Sequence, residues 1–332
     1  MVYLSPKLLL LLLIILPLNL LHTLASKHKH WVEAMNSEFS SLLQQKTWSL
    51  VPLPPSKNVV GCRWVFKIKR NSDGSLARYK ERLVAKGYLQ QYSLDYEETF
   101  SPVVKPTAVR IILALAVQFG WSLRQLDVSN AFLHGVLQEE VYMSQPPSYR
   151  DPSRPNHVCL LHKAIYGLKQ APRAWFYSFI TQLFHLGFHA SMADSKLFIL
   201  IDSSCVVYLL LYVDDIIITG SNSSIVSDII QQRSATFALK DLGPLSYFLG
   251  LQFEYTSTGI FVHQSKYAQD LLIKFKMLDC KPCSNPCSSS HHLIPADSPL
   301  LSDPTAYRSM VGALQHMTFT RPGLSYAVQQ AC

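Results

Sequence analysis

Two adjacent carboxylates, Asp214 and Asp215, stand between two apolar, β-branched runs at residues 206–213 and 216–219, and no other feature constrains the fold as much. Runs of this kind read as buried strands, and only the two Asp separate them, so the segment predicts a hairpin with both acids at its tip. Two like charges beside apolar strands are costly unless water or a cation neutralises them. Asp also suits tight turns for local reasons, so the pair alone does not decide between a turn and a site. A third acid changes the balance. Asp127 ends a predicted strand at residues 123–128 and is followed by Ser129, Asn130, Ala131 and Phe132. If the two strands are neighbours, three carboxylates converge, the oxygen set that hard divalent cations such as Mg²⁺ take. Two metals so held can activate a 3′ hydroxyl and stabilise a leaving pyrophosphate in an in-line displacement.

The 332 residues allow about two domains, and 48% hydrophobic against 16% charged residues excludes a disordered or collagen-like chain. Thirty Lys and Arg against twenty-two Asp and Glu leave a net charge of +8, which suits a polyanionic partner. Much of this charge sits on a predicted β-hairpin, with strands at residues 59–69 and 76–89 around the turn Asn71-Ser72-Asp73-Gly74. Arg63, Lys67, Lys69, Arg70, Arg78, Lys80, Arg82 and Lys86 lie on it. Alternation puts Lys67 and Lys69 on one face, either a solvated surface or one that meets phosphates.

Helices are predicted from Trp31 to about Gln45, from Pro106 to Gly120 and from Pro172 to Gly187, then near residues 225–237, 265–276 and 305–318. Trp175 and Phe179 fall on a core stripe. A further hairpin spans residues 252–263. The class is α+β, with no internal repeat and no Gly-rich phosphate loop. Cys280, Cys283 and Cys287, with His291 and His292, fit no common zinc finger, and an odd total of seven Cys suits a reducing compartment. The apolar run from Leu8 to Leu16, alone, reads as a signal peptide and is too short to span a bilayer comfortably.

Three motifs, LDVSNAFLHG around Asp127, AIYGLKQAPRAWF from Ala164 and YVDD from Tyr212, resemble in order and spacing the reverse transcriptase of copia-type LTR retrotransposons. The resemblance runs from WVEAMNSEF at Trp31 to the final YRSMVGALQHMTFTRPGLSYAV. It implies a right-hand polymerase: fingers, a palm with an antiparallel sheet and packed helices, and a partial thumb. Fingers and palm would occupy residues 27–264 and the partial thumb and connection 265–332, after an atypical apolar segment at 1–26. The family's RNase H domain is absent from the chain, so an inactive remnant that keeps the fold and nucleic-acid binding is the alternative to a working enzyme.

The resemblance further implies that Asp127, Asp214 and Asp215 hold two Mg²⁺ ions, with Mn²⁺ as a substitute and the Val128 carbonyl completing one site. Phe132 would lie under the incoming sugar and exclude a 2′ hydroxyl. Lys67 or Lys69, together with Arg82, would hold the triphosphate, and Tyr166, Gly167 and Lys169 would line the nucleotide and template. Leu249-Gly250-Leu251 falls where the family has its primer-gripping hairpin. Glu81 stands where the family usually has a small residue, which sets a negative charge beside Arg82. Expected partners are an RNA or DNA template with primer and deoxynucleoside triphosphates, with no stable membrane partner. The expected location is cytoplasmic, in virus-like particles for an intact element, with secretion as the minor alternative.

Overall fold

The structure, a computed structural model, describes residues 28–70, 75–283 and 301–332. The Leu8–Leu16 run, the turn at 71–74, Cys287, His291 and His292 lie outside them. In chain order the first elements are α1 (Lys29–Gln44), β1 (Trp48–Pro52), β2 (Val59–Val60), β3 (Cys62–Arg70), β4 (Leu76–Ala85), α2 (Pro106–Phe119), β5 (Arg124–Val128), β6 (Val136–Met143), β7 (His157–Lys163) and α3 (Ala171–His185). They are followed by β8 (His189–Ala190), β9 (Leu197–Asp202), β10 (Cys205–Tyr212), β11 (Asp215–Gly220), α4 (Ser223–Phe237), β12 (Leu239–Pro244), β13 (Tyr247–Phe248), β14 (Leu251–Thr256) and β15 (Gly259–His263). The helices α5 (Ser265–Lys274), α6 (Thr305–Met317) and α7 (Ser325–Ala331) complete the chain. The class is mixed α+β. Among the described residues no helix is long and apolar enough to cross a membrane.

The chain forms two compact units, one running to Val103 and again over Val128–His189, the other taking Val104–Asp127 and Ala190–Cys332. In the first, a four-stranded sheet of order β1-β7-β6-β2 accompanies the separate hairpin β3–β4. Trp31, Met35 and Leu42 bury one stripe of α1, and Phe39, on the same stripe, stacks on Tyr149 at 4.2 Å between centroids. Helix α3 starts with a Pro in its first turn, buries Trp175, Phe179 and Leu183, and is followed by Gly187 at φ 87, the left-handed stop that glycine supplies at no steric cost. Each such large apolar side chain taken fully from water contributes about 1.5–3 kcal/mol.

The predicted single strand over residues 59–69 is two. The chain changes sheets at Gly61: β2 pairs in parallel with β6, whereas β3 pairs with β4. The Gly61 carbonyl takes the Lys86 N–H at 2.7 Å, so that carbonyl stays paired at the crossing.

The second unit is built on a six-stranded sheet, order β12-β5-β11-β10-β9-β8, with a three-stranded sheet β13-β14-β15. Its core joins Val109, Ile112 and Ala116 of α2 to Leu210 and Ile217 of the large sheet and Phe248, Leu251 and Phe253 of the small one. Gly120, at φ 67, closes α2. The Asn222 side chain accepts the N–H groups of Ser224 and Ile225 and so caps α4.

Candidate active site

Strands β10 and β11 are antiparallel, with Tyr212 opposite Asp215, which leaves Val213 and Asp214 as a two-residue turn. Val213 has φ 53. A β-branched side chain in the left-handed region is strained, where a free choice would be glycine or asparagine. The flanking strands hold that strain, since Leu211, Ile216, Ile217 and Ile218 are all buried.

On its other side β11 pairs with β5, and the register sets Asp215 directly opposite Asp127. Opposed residues project to one face, so these carboxylates meet there, with Asp214 next in the chain at the tip. Burial, then Asp214, then Asp127 push the Asp215 carboxyl up to about 6, against a hydrogen bond from the Gln125 side chain that favours the anion. Like-charged, oxygen-only donors on rigid strands fit a hard divalent cation, which would relieve the repulsion felt by Asp215. Among the described residues no three His, Cys, Asp or Glu side chains form a ready-made ligand cluster. The acids are therefore neighbours by register and charge, not a closed cage. Val128 ends β5 with its side chain buried.

The residues expected to meet the nucleotide lie in the first unit. Alternation and register place Arg63, Lys67 and Lys69 of β3 on one face with Arg78, Lys80 and Arg82 of β4; Lys67 is opposite Lys80, and Lys69 opposite Arg78. Like charges directly opposed are destabilising, and a polyanion on this face relieves them. The Arg82 guanidinium sits 3.8 Å over the Tyr166 ring, and Phe132 meets the same ring edge-on at 4.8 Å. The Arg82 Nε is buried without a hydrogen-bond partner. Arg82, Tyr166 and Phe132 thus form one cluster. Lys169 is turned elsewhere, its Nζ donating to the Tyr96 hydroxyl at 2.9 Å.

Gly167, at φ 90, crosses the end of β4 so closely that a Cβ on it would lie 2.2 Å from the Ala85 carbonyl oxygen, while one on Gly87 would lie 2.0 Å from the Gly167 oxygen. The Ala85 N–H donates to the Tyr166 carbonyl at 2.8 Å, so the strand carrying Arg82 and the segment carrying Tyr166 are fixed together. The expectation for Glu81 is corrected. Alternation along β4 turns it away from Arg82, opposite Phe66, where it is 8% exposed and its Oε2 has no hydrogen-bond partner. Burial, then Glu38 of α1, push its carboxyl up to about 7. Glu38 is also raised by burial, with Arg82, Lys80 and the Leu83 N–H acting in the opposite sense.

Residues 45–289 match the family model described as reverse transcriptase (RNA-dependent DNA polymerase). The chain belongs to this reverse transcriptase family. It is 50% identical over 307 residues to the retrovirus-related Pol polyprotein from transposon RE1 of Arabidopsis thaliana, covering 92% of this chain and 21% of that protein. It is 38% identical over 307 residues to the corresponding polyprotein from transposon TNT 1-94 of Nicotiana tabacum, covering 90% of this chain and 23% of that one. These relatives set this reverse transcriptase chain among copia-type retrotransposon Pol sequences, and it spans about a fifth of the length of the curated relatives it matches.

Sequence reasoning passed over Gln125. It lies two residues before Asp127 on β5, buried, and donates its Nε2 to the Tyr247 carbonyl at 2.8 Å. Its position in an alternating strand was the available signal, since residues two apart share a face.

Proposed function

We propose that the chain is an RNA-directed DNA polymerase domain of right-hand type, extending a primer 3′ end with deoxynucleotides on an RNA or DNA template. The observation that carries this is the register that opposes Asp127 and Asp215, with Asp214 at the adjoining turn. Asp127, Asp214 and Asp215, with the Val128 carbonyl, would hold two Mg²⁺ ions. When bound, the ions supply activation of the primer hydroxyl and charge stabilisation at the leaving pyrophosphate.

The chain's own residues prepare the rest. The antiparallel strands fix the placement of the three carboxylates, and the buried Leu211, Ile216 and Ile218 hold the tip from within the sheet. In the first unit Arg82, fixed by Tyr166, offers a planar guanidinium to a triphosphate, with Lys67 or Lys69 on the same hairpin face. Phe132, held against Tyr166, would bar a 2′ hydroxyl. The remaining basic face would follow the nucleic-acid backbone, and Gly167 lets its segment pass close beneath. The domain scheme of fingers and palm at 27–264 with a partial thumb after it belongs to the same reading.

The test is primer extension on an RNA template by the full chain with Mg²⁺, beside Asp214→Asn. We expect extension that the substitution abolishes, with metal-free template binding unchanged because binding rests on the basic surface. Equal extension by Asp214→Asn refutes the mechanism, and template binding without extension by the unmodified chain refutes the activity.

A further inference from the structure

We propose that Gln125 is a positioning residue that ties the β13–β14 hairpin to the carboxylate-bearing strand β5, so that the hairpin which the family resemblance makes the primer grip and the groups acting on the primer 3′ end are held as one piece. This rests on the polymerase reading above and adds to it a link between two of its parts. Gln125 shares the face of β5 that carries Asp127, and its register partner is Ile217. That face is covered by apolar groups: Gln125 is 6% exposed, and Ile217, Phe248 and Leu251 are each 1% exposed. A neutral amide survives in such surroundings only where its donors are met. The Gln125 Nε2 donates to the Tyr247 carbonyl at 2.8 Å. One side chain therefore joins strand β13 to β5, the strand that carries Asp127.

The far end of the β13–β14 hairpin is held as well. Leu249 and Gly250, at φ 51 and 78, form its two-residue turn. The Leu249 carbonyl lies 2.8 Å from the His316 Nε2, so that nitrogen carries the proton, and Tyr267 packs edge-on against the His316 ring at 5.1 Å. Buried Gln264 in turn donates to the His316 carbonyl and accepts from the Thr320 hydroxyl. With the turn anchored by α6, the strand end is the part whose placement depends on Gln125.

The test compares the full chain with Gln125→Met, which keeps the length, suits the apolar surroundings and removes the hydrogen-bond donor. Gln125→Leu serves as the second variant should methionine fold poorly. Amide hydrogen exchange, without metal or nucleic acid, should become about tenfold faster over residues 247–252 while α2 is unchanged. Pre-steady-state primer extension should show a burst rate lowered about 10–100-fold, with the burst amplitude and the half-saturating deoxynucleotide concentration unchanged. A merely structural role would lower the amplitude and leave the rate per active molecule intact. Unchanged exchange over 247–252, or an unchanged burst rate, overturns the proposal. Faster hairpin exchange in a chain whose unmodified form extends no primer keeps the brace and refutes the polymerase reading instead.

Discussion

Replacing Glu81 by glutamine should stabilise the protein at neutral and alkaline pH and leave it unchanged in acid. The side chain is 8% exposed, one oxygen is unpartnered, and Glu38 faces it from α1. Its carboxyl is pushed from 4.5 up to about 7. A folded-state pKa above the unfolded value means that the folded chain binds the extra proton. Stability is therefore complete below about pH 4.5 and lost as pH rises through about 7. A displacement of about 2.5 pH units at 1.36 kcal/mol each corresponds to about 3 kcal/mol of lost stability above the window, net of Lys80 and Arg78, which favour the anion. Glu81→Gln removes the ionisation and keeps the shape, and its amide can donate toward Glu38. Urea unfolding of both proteins from pH 4 to 8.5 should give curves that coincide in acid and diverge by about 2–3 kcal/mol at pH 8. A constant difference across that range, or destabilisation at pH 8, would refute the assignment of a buried, charge-repelled carboxyl.

Two glycines with positive φ should respond differently to alanine. Gly167→Ala meets the Ala85 oxygen at 2.2 Å and should cost at least about 3 kcal/mol by chemical denaturation, whereas Gly243→Ala, with nothing within 4 Å, should cost only about 1–2 kcal/mol. Arg82→Lys keeps the charge but loses the planar stack on Tyr166, so the deoxynucleotide KM in steady-state extension should rise about tenfold. Lys67→Ala should weaken metal-free template binding evenly across sequences and reduce the slope of log Kd against log salt by about one, measured by fluorescence anisotropy.

The helices were readable because their apolar stripes are local: Trp31, Met35 and Leu42 of α1 and Trp175, Phe179 and Leu183 of α3 are buried as their spacing requires. Strands β1 and β7 went unassigned. Strand β1 runs into Pro52, and its character comes from the register of Trp48 with Leu161 of β7, between residues far apart in the chain. The approach of Asp127 to Asp215 was readable only as a condition, because strand order in a sheet depends on pairing that local pattern does not encode. Alternation put Gln125 on the face of Asp127, yet its acceptor is the backbone carbonyl of Tyr247, 122 residues away, and a backbone acceptor leaves no mark on residue identity. Glu81 was misjudged because adjacency along the chain was taken for adjacency in space, whereas neighbours in a strand face opposite ways.

The place of β5 between β12 and β11 also sets an order of events during synthesis. A growing chain emits the strand bearing Asp127 about 90 residues before either neighbour exists to receive its hydrogen bonds, an interval on the order of ten seconds at ribosomal rates. Until then its apolar Leu126 and Val128 have no sheet to enter. A strand made much later thus recruits the Asp127 carboxylate, so a ribosome stalled before β11 would hold a chain whose acids have never met.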